Sequence, residues 1–131
     1  VKRVTIKRVY APAGDDDGAR ILVDRLWPRG ISHERARIDL WLKDIAPSNA
    51  LRKRFHAKPE DWDAFCAAYA VELEGGLARA AALQLREYLA AGTVTLLYGA
   101  RDERHNNAVA LLGWLDKKKE FFFGKKEPKN I

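Results

Sequence analysis

Thr93-Val94-Thr95-Leu96-Leu97-Tyr98 is the stretch that most restricts how this chain can fold. No charge interrupts it, β-branched and aliphatic side chains dominate it, and Gly92 and Gly99 close it off, which specifies a strand. A second short apolar run, Ile21-Leu22-Val23, suits a strand covered on both faces. Such strands belong in parallel sheets, whose crossovers need helices.

Helical patterns fill the intervals. Pro59 suits a first helical position, and Trp62, Phe65, Cys66, Tyr69 and Leu73 recur at spacings of three and four before Gly75-Gly76. They predict one apolar helix face, with Cys66 a small core residue within it. Leu77, Ala81, Leu85, Tyr88 and Leu89 predict an inward face for a second helix from Leu77 to Ala91, capped by Gly92. Ser48 is placed to cap a short helix from Asn49 to about His56. Asp102 is placed to cap a last one from Glu103 to Leu115, with His105 on its apolar side.

Val4 and Ile6, alternating with Thr5 and Lys7, predict an edge strand with one wet face. Between it and Ile21, the aspartates Asp15, Asp16 and Asp17 stand beside Gly14 and Gly18, which predicts a solvated turn. Ser32 with Arg35 and Ala36 starts a helical turn, and Leu40, Trp41 and Ile45 supply apolar contacts. The expected fold is α/β: a small, largely parallel sheet of three or four strands flanked by helices, in a single Rossmann-like domain over residues 1–116.

The chain of 131 residues has one cysteine. An intramolecular disulfide and a cysteine-based zinc site are therefore excluded, and a reducing, cytoplasmic setting is the natural expectation. No apolar run approaches the length of a membrane span, and the first residues have no signal-peptide pattern, so no membrane partner is expected. Of the net charge of +6, residues 117–131 carry +4, from six lysines and two glutamates. This segment reads as a basic tail whose three phenylalanines dock on the body, and whose lysines offer nucleic acid a non-specific contact.

The chemistry gathers where the two strands end. Val23 hands over to Asp24-Arg25-Leu26-Trp27-Pro28-Arg29, and Tyr98 to Gly99-Ala100-Arg101-Asp102-Glu103-Arg104-His105-Asn106-Asn107. In open α/β sheets ligands lie beyond the carboxyl ends of the strands, and a helix amino terminus there favours an anion. Arg25, Arg29 and Arg101 are candidate donors to a phosphate or carboxylate, with Trp27, Tyr98, His105, Asn106 and Asn107 completing the shell. Asp24 and Asp102 are the acid-base candidates. The spacing of His33, His56 and His105 suits no metal, and neither a Gly-x-Ser-x-Gly elbow nor a phosphate loop with lysine is present, so no cofactor is expected.

Arg20 to Gly30, together with Trp41 to Ser48, Leu51-Arg52, Trp62, Phe65, Tyr69, Glu72-Leu73 and Thr95 through Asn107, closely resembles the YeaO-like bacterial proteins of the domain-of-unknown-function 488 superfamily. The resemblance covers nearly everything before the tail. It implies a small cytoplasmic α/β protein and supplies no reaction. The wider family's pattern has Leu-Leu-Cys-Ala-Glu-x-Asp at the second strand end and Cys-His-Arg at the helix start. Here Tyr98 stands at the first cysteine, and Asn106-Asn107-Ala108 replace the second motif. Cysteine chemistry is therefore not carried over, while Arg101, Asp102 and the crevice are.

The leading expectation is a binder of an anionic small molecule, a nucleotide among the candidates, with catalysis left open. A second reading makes Pro59–Glu74 and Leu77–Ala91 a helix-turn-helix, with Arg79, Gln84 and Arg86 as readers and Arg52-Lys53-Arg54 on phosphates. A third is a structural or partner-binding module. Nothing in the pattern fixes an oligomeric state.

Overall fold

A computed structural model describes residues 4–124. Four strands, β1 (Val4–Arg8), β2 (Ala19–Leu22), β3 (Leu40–Trp41) and β4 (Val94–Tyr98), form one sheet in the order β1-β4-β2-β3, with every pairing parallel. β4 lies between β1 and β2, in register from Val4–Val94 to Arg8–Tyr98 on one side and from Ala19–Val94 to Leu22–Leu97 on the other. All five of its residues are buried, which is why an uncharged β-branched and aliphatic run was needed there. β1 takes the expected edge, with Thr5 exposed.

Alternation divides the interior strands between two layers. Ile21, Val23, Val94, Leu96 and Tyr98 face the main core, built with α2 (Asn49–Ala57), α3 (Trp62–Leu73), α4 (Gly76–Ala91), α5 (Asn107–Lys117) and α6 (Lys119–Phe123). Leu22 and Leu97 face the other way, against Val9, Trp27, Ile31, Ile38 and Trp41. That second layer is made of loop and the single-turn helix α1 (His33–Ala36), which Ser32 caps by accepting the Arg35 amide.

One strand is added to those expected, and two helix starts move. Leu40–Trp41 is a short strand on β2, paired as Ile21–Leu40 and Leu22–Trp41. A turn closed by the Asp61 amide on the Lys58 carbonyl occupies Pro59-Glu60, so α3 begins at Trp62. Asn106, not Asp102, caps α5 by accepting the Val109 amide, and α5 begins at Asn107. Leu77, expected inward, is 71% exposed, while its neighbour Ala78 packs on the core in its place. Ser48 caps α2 as expected, and its own amide and hydroxyl donate to Glu72, tying α2 to α3.

The acidic turn is solvated only at Asp15 and Asp16; Asp17 is buried. Its carboxylate takes Lys7 at 2.8 Å and the buried Arg20 at 2.5 Å, and Arg20 also donates to the carbonyls of Ala36 and Arg37. Burial pushes the Asp17 carboxyl up, but the Gly14 amide, Lys7 and Arg20 outweigh it and hold it down to about 2. Next to it Gly18 has φ +65°, and a Cβ there would stand 2.2 Å from the Thr93 carbonyl oxygen. Only glycine lets β2 start this close to β4.

At the other end of the chain Phe122 is buried against Trp114, with ring centroids 5.2 Å apart. Phe123 packs on the core, and Phe121 is exposed beneath the Arg86 guanidinium. The lysines at 125, 126 and 129 lie outside the described residues. No helix among the described residues is long and apolar enough to cross a membrane.

Candidate functional site

Because β2 and β4 are parallel neighbours, the loops that follow them leave the same edge of the sheet. The two loops are bonded directly. Asp24 Oδ2 accepts the Gly99 amide at 2.8 Å, and Asn107, at the start of α5, donates from Nδ2 to the Val23 carbonyl at 2.7 Å. Gly99 leaves room for this contact, since a Cβ would stand 3.2 Å from Asp24 Oδ2.

A cavity of about 310 Å³ opens at this junction. Asp24, Arg25, Trp27, His105, Asn106 and Asn107, all expected from the sequence, line it. Arg29, Tyr98, Arg101 and Asp102 do not. Arg29 is exposed and its carbonyl accepts the Tyr10 hydroxyl at 2.8 Å. Tyr98 is buried, which pushes its hydroxyl up with help from Glu103. Arg101 is exposed, and Asp102 folds the turn by accepting the amides of Arg104 and His105 at 2.9 and 3.0 Å, contacts that hold its carboxyl low. His105 precedes α5 and lies tilted against Trp62, ring centroids 4.7 Å apart, so it belongs to the loop and not to an apolar helix face.

α2 supplies what the sequence reading left out. Arg52, Phe55 and His56 line the same cavity, and their spacing of three and four puts them on one side of the helix. Arg52 Nη2 donates to Asn49 at 3.1 Å, while its Nε is buried with no hydrogen-bond partner. Such a group costs about 1–3 kcal/mol unless something bonds it. Arg25 donates from Nη2 to the Ala46 carbonyl at 3.0 Å and from Nε to Pro47 at 3.3 Å. Those contacts fix its guanidinium and leave Nη1 outside them.

Burial raises the Asp24 carboxyl, against the opposing pull of the Gly99 amide, Asn107 and the Arg52 charge. A perturbed carboxyl in a cleft that Arg25 and Arg52 also line makes this the candidate site. The walls are aromatic and rigid. Trp27 donates to the Ile31 carbonyl at 2.7 Å, stacks on His33 at 3.9 Å and meets Trp41 edge-on at 5.3 Å. Phe55 lies 4.7 Å from Phe65 and 5.6 Å from Trp62.

A larger groove of about 740 Å³ lies beside α4 and α6. Lys118 and Arg79 there both pair with Glu74, at 2.8 and 3.7 Å, and its lining includes none of the residues that follow β2 or β4. Arg86 donates to the Phe121 carbonyl at 2.8 Å. Two of the three side chains expected to read DNA from α4 are thus held by the protein itself. Among the described residues no cluster of three or more His, Cys, Asp or Glu side chains is arranged to hold a metal.

Residues 3–127 match the profile of a family described as the inactive DUF488-N3 subclade. The chain is similar to the uncharacterized protein YeaO of Escherichia coli K12, with 42% identity over 117 residues, 86% of this chain and 96% of that protein. It is similar also to uncharacterized proteins of Mycobacterium bovis and Mycobacterium tuberculosis, with 39% identity over 109 residues, 83% of this chain and 90% of each of theirs. No solved structure matches it.

Proposed function

Given that the chain belongs to the inactive DUF488-N3 subclade, we propose that it is a non-catalytic cytoplasmic binder of a small anionic ligand, one bearing a phosphate or carboxylate. The anion lies between Arg25 and Arg52, in the cavity at the carboxyl ends of β2 and β4. The observation that carries this reading is that Arg25 and Arg52 both line this cavity and neither has an ion-pair partner among the described residues. A guanidinium presents its donors as a planar fork that matches the oxygens of an anion, and Nη1 of each arginine lies outside the hydrogen bonds made by the described residues.

Catalysis is not part of the reading. The subclade is described as inactive, and Tyr98 occupies the strand-end position that the resemblance gives to cysteine. Asp24 then serves binding and not proton transfer.

A thermal-shift series of nucleotides, phosphosugars and dicarboxylates tests it. A ligand present at 100 times its Kd stabilises the folded state by about 2.7 kcal/mol, a readily measured rise in Tm. Rises that vanish in Arg52→Ala support the site, whereas a flat series, or rises indifferent to that substitution, refutes it.

A further inference from the structure

The cavity is built to recognise more than a charge. Asp24 is the one carboxylate among its described lining residues, and the Gly99 amide holds it in place. Neither Asp24 nor Arg52 has an ion-pair partner among the described residues. Asp24 would meet a bare phosphate as a like charge, whereas it meets N–H groups as an acceptor. Trp27 and Phe55 are locked by their neighbours, so planar surfaces stand ready without the loss of side-chain freedom that binding otherwise entails. At about 310 Å³ the cavity falls at the low end of the ~300–1,000 Å³ spanned by small-molecule pockets, enough for one ring system with one anionic group.

Resting on the anion-binding reading above, we infer that the ligand is a ring-bearing monophosphate whose ring presents adjacent N–H donors to Asp24, the pattern of guanine. The phosphate lies toward Arg25 and Arg52 and the ring against Trp27 or Phe55. Guanine offers N1–H and its N2 amino group side by side, matching two carboxylate oxygens; hypoxanthine keeps only N1–H, and adenine sets an acceptor at N1 beside its amino group. Asp24 is therefore the specificity-determining residue, and the arginines supply affinity common to all phosphates.

Calorimetric titration of the full chain with guanosine, inosine and adenosine monophosphates, ribose 5-phosphate and inorganic phosphate tests the assignment. Guanosine monophosphate is expected to bind about tenfold or more tightly than the adenosine compound, with the inosine compound between them. Asp24→Asn, confirmed folded by its thermal melt, is expected to erase that preference, bringing the guanosine compound to the affinity of the adenosine compound, while ribose 5-phosphate binds at least as tightly as to the parent because a like charge is gone. Equal affinity for the three nucleotides, or a preference that persists in Asp24→Asn, overturns the ring assignment and leaves the anion site standing. Binding of no phosphate at all overturns both.

Discussion

Asp24, the second residue after β2, accepts the backbone amide of Gly99, the first residue after β4, at 2.8 Å. Two segments 75 residues apart are thereby joined at the one edge of the sheet where a parallel α/β fold places its ligands. Burial raises the pKa of the same carboxyl, so the bond that joins the loops and the group offered to a ligand are one.

That shift has a sign. The folded state binds the Asp24 proton more tightly than the unfolded chain does, so this group's contribution is fully present below the ordinary carboxyl value of 3.8 and is lost as pH rises through its raised value. Asp24→Asn keeps an oxygen for the Gly99 amide and removes the buried charge. Thermal melts at pH 7 are expected to show the variant at least as stable as the parent, with the difference shrinking below pH 4. A variant less stable at pH 7 by more than ~1 kcal/mol contradicts this.

Asp17 behaves in the opposite way. Its carboxyl is depressed from 3.8 to about 2 by contacts made only on folding, so its stabilisation is present above pH 4 and lost as pH falls toward 2. The shift is worth about 2 kcal/mol. Urea unfolding between pH 5 and pH 2 is expected to show that loss in the parent and a flatter profile in Asp17→Asn, which starts lower because Arg20 and Lys7 lose their partner.

Gly18→Ala is expected to cost ~2 kcal/mol or more, because the new Cβ meets the Thr93 carbonyl at a backbone angle that also disfavours it. Gly30→Ala, with a similar φ of +79° and open space around it, is expected to cost less. Chemical denaturation of the two variants side by side checks the difference; equal costs would mean that the β2–β4 approach does not depend on Gly18.

Most of the architecture was legible because the strands and helices announce themselves by period: β4 by its uncharged run, α3 by Phe65, Tyr69 and Leu73, α2 by Ser48. β3 was not, since two residues cannot display alternation, and Leu40–Trp41 is a strand only through its pairing with β2. In the site, Asp24, Arg25 and Trp27 were readable from their place after an apolar run. Arg101 and Asp102 shared that place, yet the turn built on the Asp102 carboxylate leaves both exposed. Arg52, expected only as a phosphate contact of a helix-turn-helix, and Phe55 and His56 were not placed in this cavity, because a helix reveals which residues share a face and not which neighbour that face meets. Their spacing was the available signal, and the tertiary placement of α2 gave it meaning.

Arg52 tests the central claim most directly. Calorimetric titration of guanosine monophosphate and inorganic phosphate into the parent, Arg52→Ala and Arg101→Ala is expected to show saturable binding in the parent. Affinity should fall about tenfold or more in Arg52→Ala, the loss of one charge-assisted contact, and stay unchanged in Arg101→Ala. Undetectable binding in the parent, or an equal loss in both variants, would contradict an anion site between Arg25 and Arg52.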